Sequence, residues 1–215
     1  MTGDLFHADA QVRRQVLVPG AVLLRGFANG ATAELGAGLA RVVAQAPFRH
    51  MVTPSGRPMS VAMTNCGTYG WVTDRAGYRY DPIDPESGRR WPSMPKAFAV
   101  LSSEAAAAAG FGGFAADACL INRYPPGARL SLHQDKDERD FDQPIVSVSL
   151  GASAVFLFGG LKRTDRTLRV PVTHGDILVW GGPARLNYHG VLPVKADDHP
   201  FAGGCRINLT LRKAA

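Results

Sequence analysis

The sequence predicts an all-β sandwich or barrel with two helices packed outside it. Three observations lead there. Beyond residue 115 the chain breaks into short runs rich in β-branched and aromatic residues, bounded by Gly, Pro and Asp. The last run, Cys205 to Leu211, alternates strictly: Arg206, Asn208, Thr210 and then Arg212 lie on one face, and Ile207, Leu209 and Leu211 on the other. Helical periodicity is confined to two stretches ahead of Gly110.

Taken in order, Ala21 to Phe27 reads as a first strand. Thr32 to Ala46 reads as a helix, with Leu35, Leu39, Val42 and Ala46 on one face and Pro47 stopping it. From Phe48 to Trp91 the pattern changes to short apolar runs broken by Gly and Pro, with Met51, Met59, Met63, Trp71, Tyr78, Tyr80 and Trp91 interleaved with arginines. That composition suits a lid of hairpins able to stack planar groups, and equally a loop-rich subdomain whose aromatics anchor it to a core. Ser93 to Ala109 predicts a second helix, capped by Ser93, with Pro95 in its first turn and Gly110 closing it. Strands are then expected at Ala118 to Tyr124, Ile145 to Leu150, Ala154 to Phe158, Leu168 to Val172, Asp176 to Trp180, Leu186 to His189 and Cys205 to Leu211. The 215 residues suit one domain: an N-terminal extension with a helix over 1–47, a lid over 48–92 and a β core over 115–215.

Composition narrows the class. Cys66, Cys119 and Cys205 are odd in number and widely spaced, which argues against a disulfide framework or a zinc knuckle and for a reduced compartment. Met1 to Arg14 shows no leader pattern, and no apolar run reaches spanning length, so a soluble cytoplasmic protein is expected. A net charge of +6 favours polyanionic partners. The bases are scattered, so any nucleic-acid groove has to be assembled by folding.

The chemistry centres on Ile121 to Asp137. His133 and Asp135 stand two positions apart, and in extended chain both project to one face. A third ligand has to come from elsewhere, and His189 in Asn-Tyr-His-Gly is the best candidate. Two imidazoles and one carboxylate form the facial triad of non-haem iron(II) oxygenases. His174-Gly-Asp176 has the same spacing, but its Gly-Asp reads as a turn launching a buried strand and is taken as structural. On the last strand, Arg206, Asn208 and Arg212 form either a solvated row or a receptor for a dicarboxylic co-substrate. Asn122 and Tyr124, also two apart, would add donors beside it.

Asn122-Arg-Tyr124, His133-Gln-Asp135, His189 and Arg206-x-Asn208-x-Thr210-x-Arg212 together resemble the AlkB family of iron(II)- and 2-oxoglutarate-dependent nucleic-acid dealkylases, closest to its bacterial members. The likeness runs from about Phe27 to Arg212 and includes Met59-Ser-Val-Ala-Met63, Trp71 and Phe158-Gly-Gly-Leu-Lys-Arg163. The resemblance implies a double-stranded β-helix (jelly-roll) core and a nucleotide-recognition lid. It implies oxidative demethylation of bases such as 1-methyladenine and 3-methylcytosine, consuming 2-oxoglutarate and O2 and releasing succinate, CO2 and formaldehyde. By the same resemblance His133, Asp135 and His189 hold Fe(II). Arg206, Asn208 and Tyr124 hold the distal carboxylate of 2-oxoglutarate, and Arg212 and Asn122 sit by the carboxylate that chelates iron. Trp71 stacks on the target base with His133 opposite, and Asp137 accepts from an exocyclic amino group. Tyr78, Thr53, Met59, Met63, Lys136 and Arg163 line the pocket and lid. The implied partner is single-stranded or flipped-base DNA, with RNA a further substrate, and the enzyme is expected to be a monomer. Ser55-Gly-Arg57-Pro departs from the family's loop, which bears on strand preference. The competing readings are the same chemistry on tRNA or a protein side chain, and a non-enzymatic cupin-like binding module.

Overall fold

The computed structural model describes residues 13–215, so most of the stretch read as leaderless lies outside the described residues. Its centre is a seven-stranded antiparallel sheet. In spatial order its strands are β1 (Arg13–Val18), β2 (Ala21–Arg25), β11 (Ile177–Trp180), β8 (Ile145–Gly151), β13 (Arg206–Arg212), β6 (Ala118–Tyr124) and β3 (Ala62–Gly67). Facing it is a four-stranded sheet of β10 (Leu168–Val172), β9 (Ala154–Phe158), β12 (His189–Val191) and β7 (Leu130–His133). The hairpin β4 (Gly70–Asp74) and β5 (Gly77–Asp81) stands apart as a third sheet.

The large sheet is covered on both sides, which explains the alternation in its strands. Leu24, Val146, Val148, Ile207, Leu209 and Leu211 face outward under the helices α1 (Thr32–Gln45) and α2 (Lys96–Ala109), packing with Leu35, Val42, Phe98 and Leu101. On the inner face, Leu23, Ile145, Leu178 and Trp180 meet Phe156, Phe158, Val170 and Val191 of the small sheet. The polar row of β13 therefore points between two sheets. Arg206, Asn208, Thr210 and Arg212 are all buried there.

Several expectations shift. The second helix begins at Lys96, with Pro95 at its N-cap: the Pro95 carbonyl accepts from the Phe98 and Ala99 amides, the proline side chain offers no capping oxygen, and Ser93 stays outside. Gly110 closes the helix in the left-handed region at φ 102°. The strand expected at Leu186 to His189 starts only at His189, since Gly182–Ala184 forms a 3-10 turn and the Asn187 amide bonds back to Ala184. Strand β1 was not expected: it is an edge strand with exposed Arg14, Gln15 and Val16, and its short Val16-Leu17-Val18 run shows no alternation. The sheet also recruits β1 and β2 from the N-terminal extension, and β3 from within the segment read as lid.

Candidate metal and co-substrate site

Neighbouring strands of the small sheet carry the two histidines. His189 on β12 is the register partner of His133 at the end of β7, and the two rings lie 4.4 Å apart. That approach depends on Gly190, where a Cβ would sit 2.7 Å from the Leu130 carbonyl oxygen. The strand ends at His133, so Asp135 comes from the loop beyond it. It still lies 3.6 Å from both imidazoles, Oδ1 toward His133 Nε2 and Oδ2 toward His189 Nε2. One ligand atom from each of the three residues falls within 4.8 Å of the others, the one such group among the described residues.

The surroundings prepare these groups for a cation. His133 Nδ1 lies 2.9 Å from the Ser131 carbonyl and His189 Nδ1 lies 3.0 Å from the Asn187 carbonyl. A carbonyl only accepts, so each Nδ1 carries the proton and each Nε2 presents a lone pair. Burial and the neighbouring His189 push the His133 pKa down to about 4, which leaves its imidazole neutral at physiological pH. Burial opposes the charge on Asp135, but Arg212 and the imidazoles outweigh it and hold the carboxyl well below its usual range. Arg212 does so through Nε and Nη2, at 3.1 and 2.6 Å from Asp135 Oδ2. The chemistry of this donor set fits iron(II).

The second half of the site is a charge without a counter-charge. Arg206 is 1% exposed, and its Nη2 donates to Ser149 Oγ at 3.1 Å. Its Nε and Nη1 are buried without a hydrogen-bond partner among the described residues. Burial lowers its pKa, and it lies over the ring of Tyr124, 5.1 Å from the guanidinium carbon. A buried fork with two orphan donors calls for an anionic ligand. Asn122, the register partner of Asn208, likewise leaves Oδ1 buried and unpaired. Asn208 is occupied: its amide donates to Ser147 Oγ at 2.8 Å and to the Val148 carbonyl at 2.9 Å, while Thr210 donates to its oxygen.

Over the outer side lies the β4–β5 hairpin. Trp71 is fixed by Asn65, whose side chain bonds both its backbone N–H and C=O at 3.0 Å. Its ring stacks with Tyr78 at 5.7 Å, and its Nε1 donates to Asp137 Oδ2 at 2.8 Å. Tyr78 is exposed, as are Lys136 and Arg163. Thr53 closes its own turn through Ser55 and Arg57. Met59 is half-buried against the inner core, whereas Met63 on β3 lies fully inside it. His174 and Asp176 are structural as read: His174 accepts the Gly151 amide, and Asp176 pairs with Arg25 at 2.7 Å and accepts the Gly26 and Thr173 amides.

Sequence reasoning missed four contributors. Ser147 and Ser149 hold Asn208 and Arg206, and their alternation within Ile145–Leu150 was a readable sign of an inner polar face. Glu138 and Arg185 form a buried ion pair at 3.0 Å beneath Asp135, and nothing in the local pattern set them apart from surface charges.

A two-histidine, one-carboxylate cluster together with a buried, unpartnered arginine is the donor set of an iron(II) oxygenase that also takes an anionic ligand. The comparisons agree. The model of the 2OG-Fe(II) oxygenase superfamily matches residues 20–212. The chain is 57% identical over 211 residues to the alpha-ketoglutarate-dependent dioxygenase AlkB of Escherichia coli, covering 98% of this chain and 97% of that one. It is also 57% identical to the protein of that name from Salmonella typhimurium, over 99% and 98% of the two chains. Among solved structures, that of OsALKBH1 superposes with a TM-score of 0.81 at 29% identity, over 94% of this chain and 100% of the other. The chain belongs to the 2OG-Fe(II) oxygenase superfamily and, within it, to the AlkB family.

Proposed function

We propose that this protein is an iron(II)- and 2-oxoglutarate-dependent dioxygenase that repairs alkylated DNA, and RNA as a further substrate, by oxidative removal of N-methyl groups. The observation that carries this reading is the pairing of the His133, Asp135 and His189 cluster with the unpartnered donors of Arg206. His133, Asp135 and His189 would hold the metal on one side, leaving positions open on the other. Arg206, held by Ser149 and backed by Tyr124, would receive the distal carboxylate of 2-oxoglutarate together with Asn208. Asn122 and Arg212 would face the carboxylate that chelates iron. Bound iron(II) supplies activation of O2 at the expense of the 2-oxo acid, which leaves as succinate and CO2 while the methyl carbon is hydroxylated and lost as formaldehyde.

The remaining residues select what is oxidised. Trp71 and Tyr78 offer stacked aromatic faces to a planar base. A methylated base that carries positive charge stacks well on an indole and sits favourably beside Asp137. Thr53 and Met59 flank the hairpin, Met63 supports the floor from inside the core, and exposed Lys136 and Arg163 are available to phosphates. A base inside duplex cannot reach a recessed metal, so the target is single-stranded or flipped out. Methylation on the Watson-Crick edge, as in 1-methyladenine and 3-methylcytosine, already weakens pairing and lowers that cost. No helix among the described residues is long and apolar enough to cross a membrane, and on this reading the enzyme works as a cytoplasmic monomer.

The test is formaldehyde release from single-stranded DNA carrying 1-methyladenine, with iron(II), ascorbate and 2-oxoglutarate, and His133→Ala as the blank. Release by the native protein alone is expected. Consumption of 2-oxoglutarate with the oligonucleotide unchanged would overturn the substrate class, and faster turnover on methylated tRNA or on a peptide would redirect it.

A further inference from the structure

Trp71 and Tyr80 are cross-strand register partners in the β4–β5 hairpin, and they grip two consecutive acids of the loop that supplies Asp135. Trp71 Nε1 donates to Asp137 Oδ2 at 2.8 Å, and Tyr80 Oη donates to Glu138 Oε1 at 2.6 Å. Asp137 is exposed, but Glu138 is buried and both its oxygens are taken. Its Oε1 also faces Arg212 Nε at 3.3 Å, and its Oε2 accepts from Arg185 Nη2 at 3.0 Å. Arg185 then donates through Nη1 to the Asp135 backbone carbonyl at 2.8 Å and through Nε to the Gln143 carbonyl at 2.9 Å. Arg212 completes the path on the Asp135 carboxylate.

We infer that Glu138 is a positioning residue that carries the seating of the β4–β5 hairpin to the metal ligand Asp135, through Arg212 on its side chain and Arg185 on its backbone. This rests on the reading that the centre binds iron(II). Two acids and two guanidiniums balance in this buried cluster, so each holds its neighbours in one geometry. Tyr80 is the part of the path that belongs to the hairpin. Burial raises its pKa well above the usual phenol value, which keeps it a hydrogen-bond donor to Glu138. With Glu138 neutralised, two guanidiniums share the one carboxylate that the metal needs, and they leave an extra positive charge beside a cation site. With only the Tyr80 hydroxyl removed, the charges stay balanced and the hairpin loses its grip on the path. A seated hairpin thereby keeps Asp135 aligned, so that co-substrate consumption is spent on the substrate.

Glu138→Gln and Tyr80→Phe separate these effects when each is titrated anaerobically with Co(II) in the presence of 2-oxoglutarate. Binding is followed by the visible absorption of the bound Co(II), and the ratio of formaldehyde formed to succinate formed is measured in the iron enzyme. Glu138→Gln is expected to weaken Co(II) binding by about 10- to 100-fold, the range of outer-sphere partners of metal ligands. Tyr80→Phe is expected to keep Co(II) affinity within about twofold and to lower the formaldehyde-to-succinate ratio severalfold, because one hydrogen bond to a charged group is lost. Native Co(II) affinity and native product ratio in folded Glu138→Gln would overturn the inference. So would an unchanged ratio in Tyr80→Phe, which decides the matter alone if Glu138→Gln does not fold. Failure of the native protein to bind Co(II) with 2-oxoglutarate would sink the metal reading instead.

Discussion

The metal and co-substrate site and the hairpin above it are built by opposite strategies. His133 and His189 lie on paired strands and Asp135 on the loop that follows, with Phe156 stacked on His189 at 5.7 Å and Trp180 edge-on at 4.9 Å. The hairpin is a two-stranded unit with Tyr78 51% exposed, held to the core by Asn65 and to the metal loop by single hydrogen bonds from Trp71 and Tyr80. A two-stranded ribbon of this kind has little stability of its own. The metal cluster is thus fixed by packing, while the hairpin is anchored by the buried Val72 and Thr73 and leaves its Tyr78 rim, on the proposed reading the part that meets substrate, tied down by a few polar contacts.

That contrast can be broken or sharpened by mutation. The largest effect belongs to the ligands: His189→Ala should abolish turnover and Co(II) binding together while leaving a folded protein, measured by absorption titration and circular dichroism. Arg206→Met comes next. It should raise KM for 2-oxoglutarate about 30-fold or more, the equivalent of about 2 kcal/mol for losing one partner of a buried charge pair. Its thermal midpoint without 2-oxoglutarate should be unchanged or higher, because an apolar side chain removes an uncompensated buried charge. A lower midpoint would mean that the protein itself satisfies Arg206. Asp137→Ala should lower kcat/KM on methylated oligonucleotide about tenfold, in line with about 1.5 kcal/mol for a hydrogen bond to a charged group, with Co(II) binding intact. Tyr78→Ala should cost about fivefold on the same substrate, the low end of base-aromatic stacking. If either lid variant disturbed Co(II) affinity as strongly as His189→Ala, the division between the two halves would fail.

How much of this was legible depends on whether a residue's role is written in a period. The alternation of Arg206 to Arg212 separated core from chemistry because a strand buried on both faces sends odd and even residues to different neighbours. The spacing of His133 and Asp135 pointed to side chains that the fold brings together although the strand stops between them, since the loop still returns Asp135 to the imidazoles. Glu138 and Arg185 were invisible, and Tyr80 was legible only as one of the aromatics of the lid segment: their partners are separated by tens of residues, and a Glu after Asp-Lys-Asp reads as one more surface acid. The second helix start was misread because Pro95, not Ser93, supplies the first free carbonyl. The place of β3 at the edge of the large sheet depended on a pairing with β6 that no local pattern announces.

Both histidines hold their ring protons on a carbonyl two residues earlier in their own chain, Ser131 for one and Asn187 for the other. Each ring is therefore aimed by its own stretch of backbone, independently of whatever ion it faces. An ion that departs leaves the socket standing, and a replacement needs only to shed water and enter. Recovery of a vacated site is then a matter of resupplying iron(II) and not of refolding.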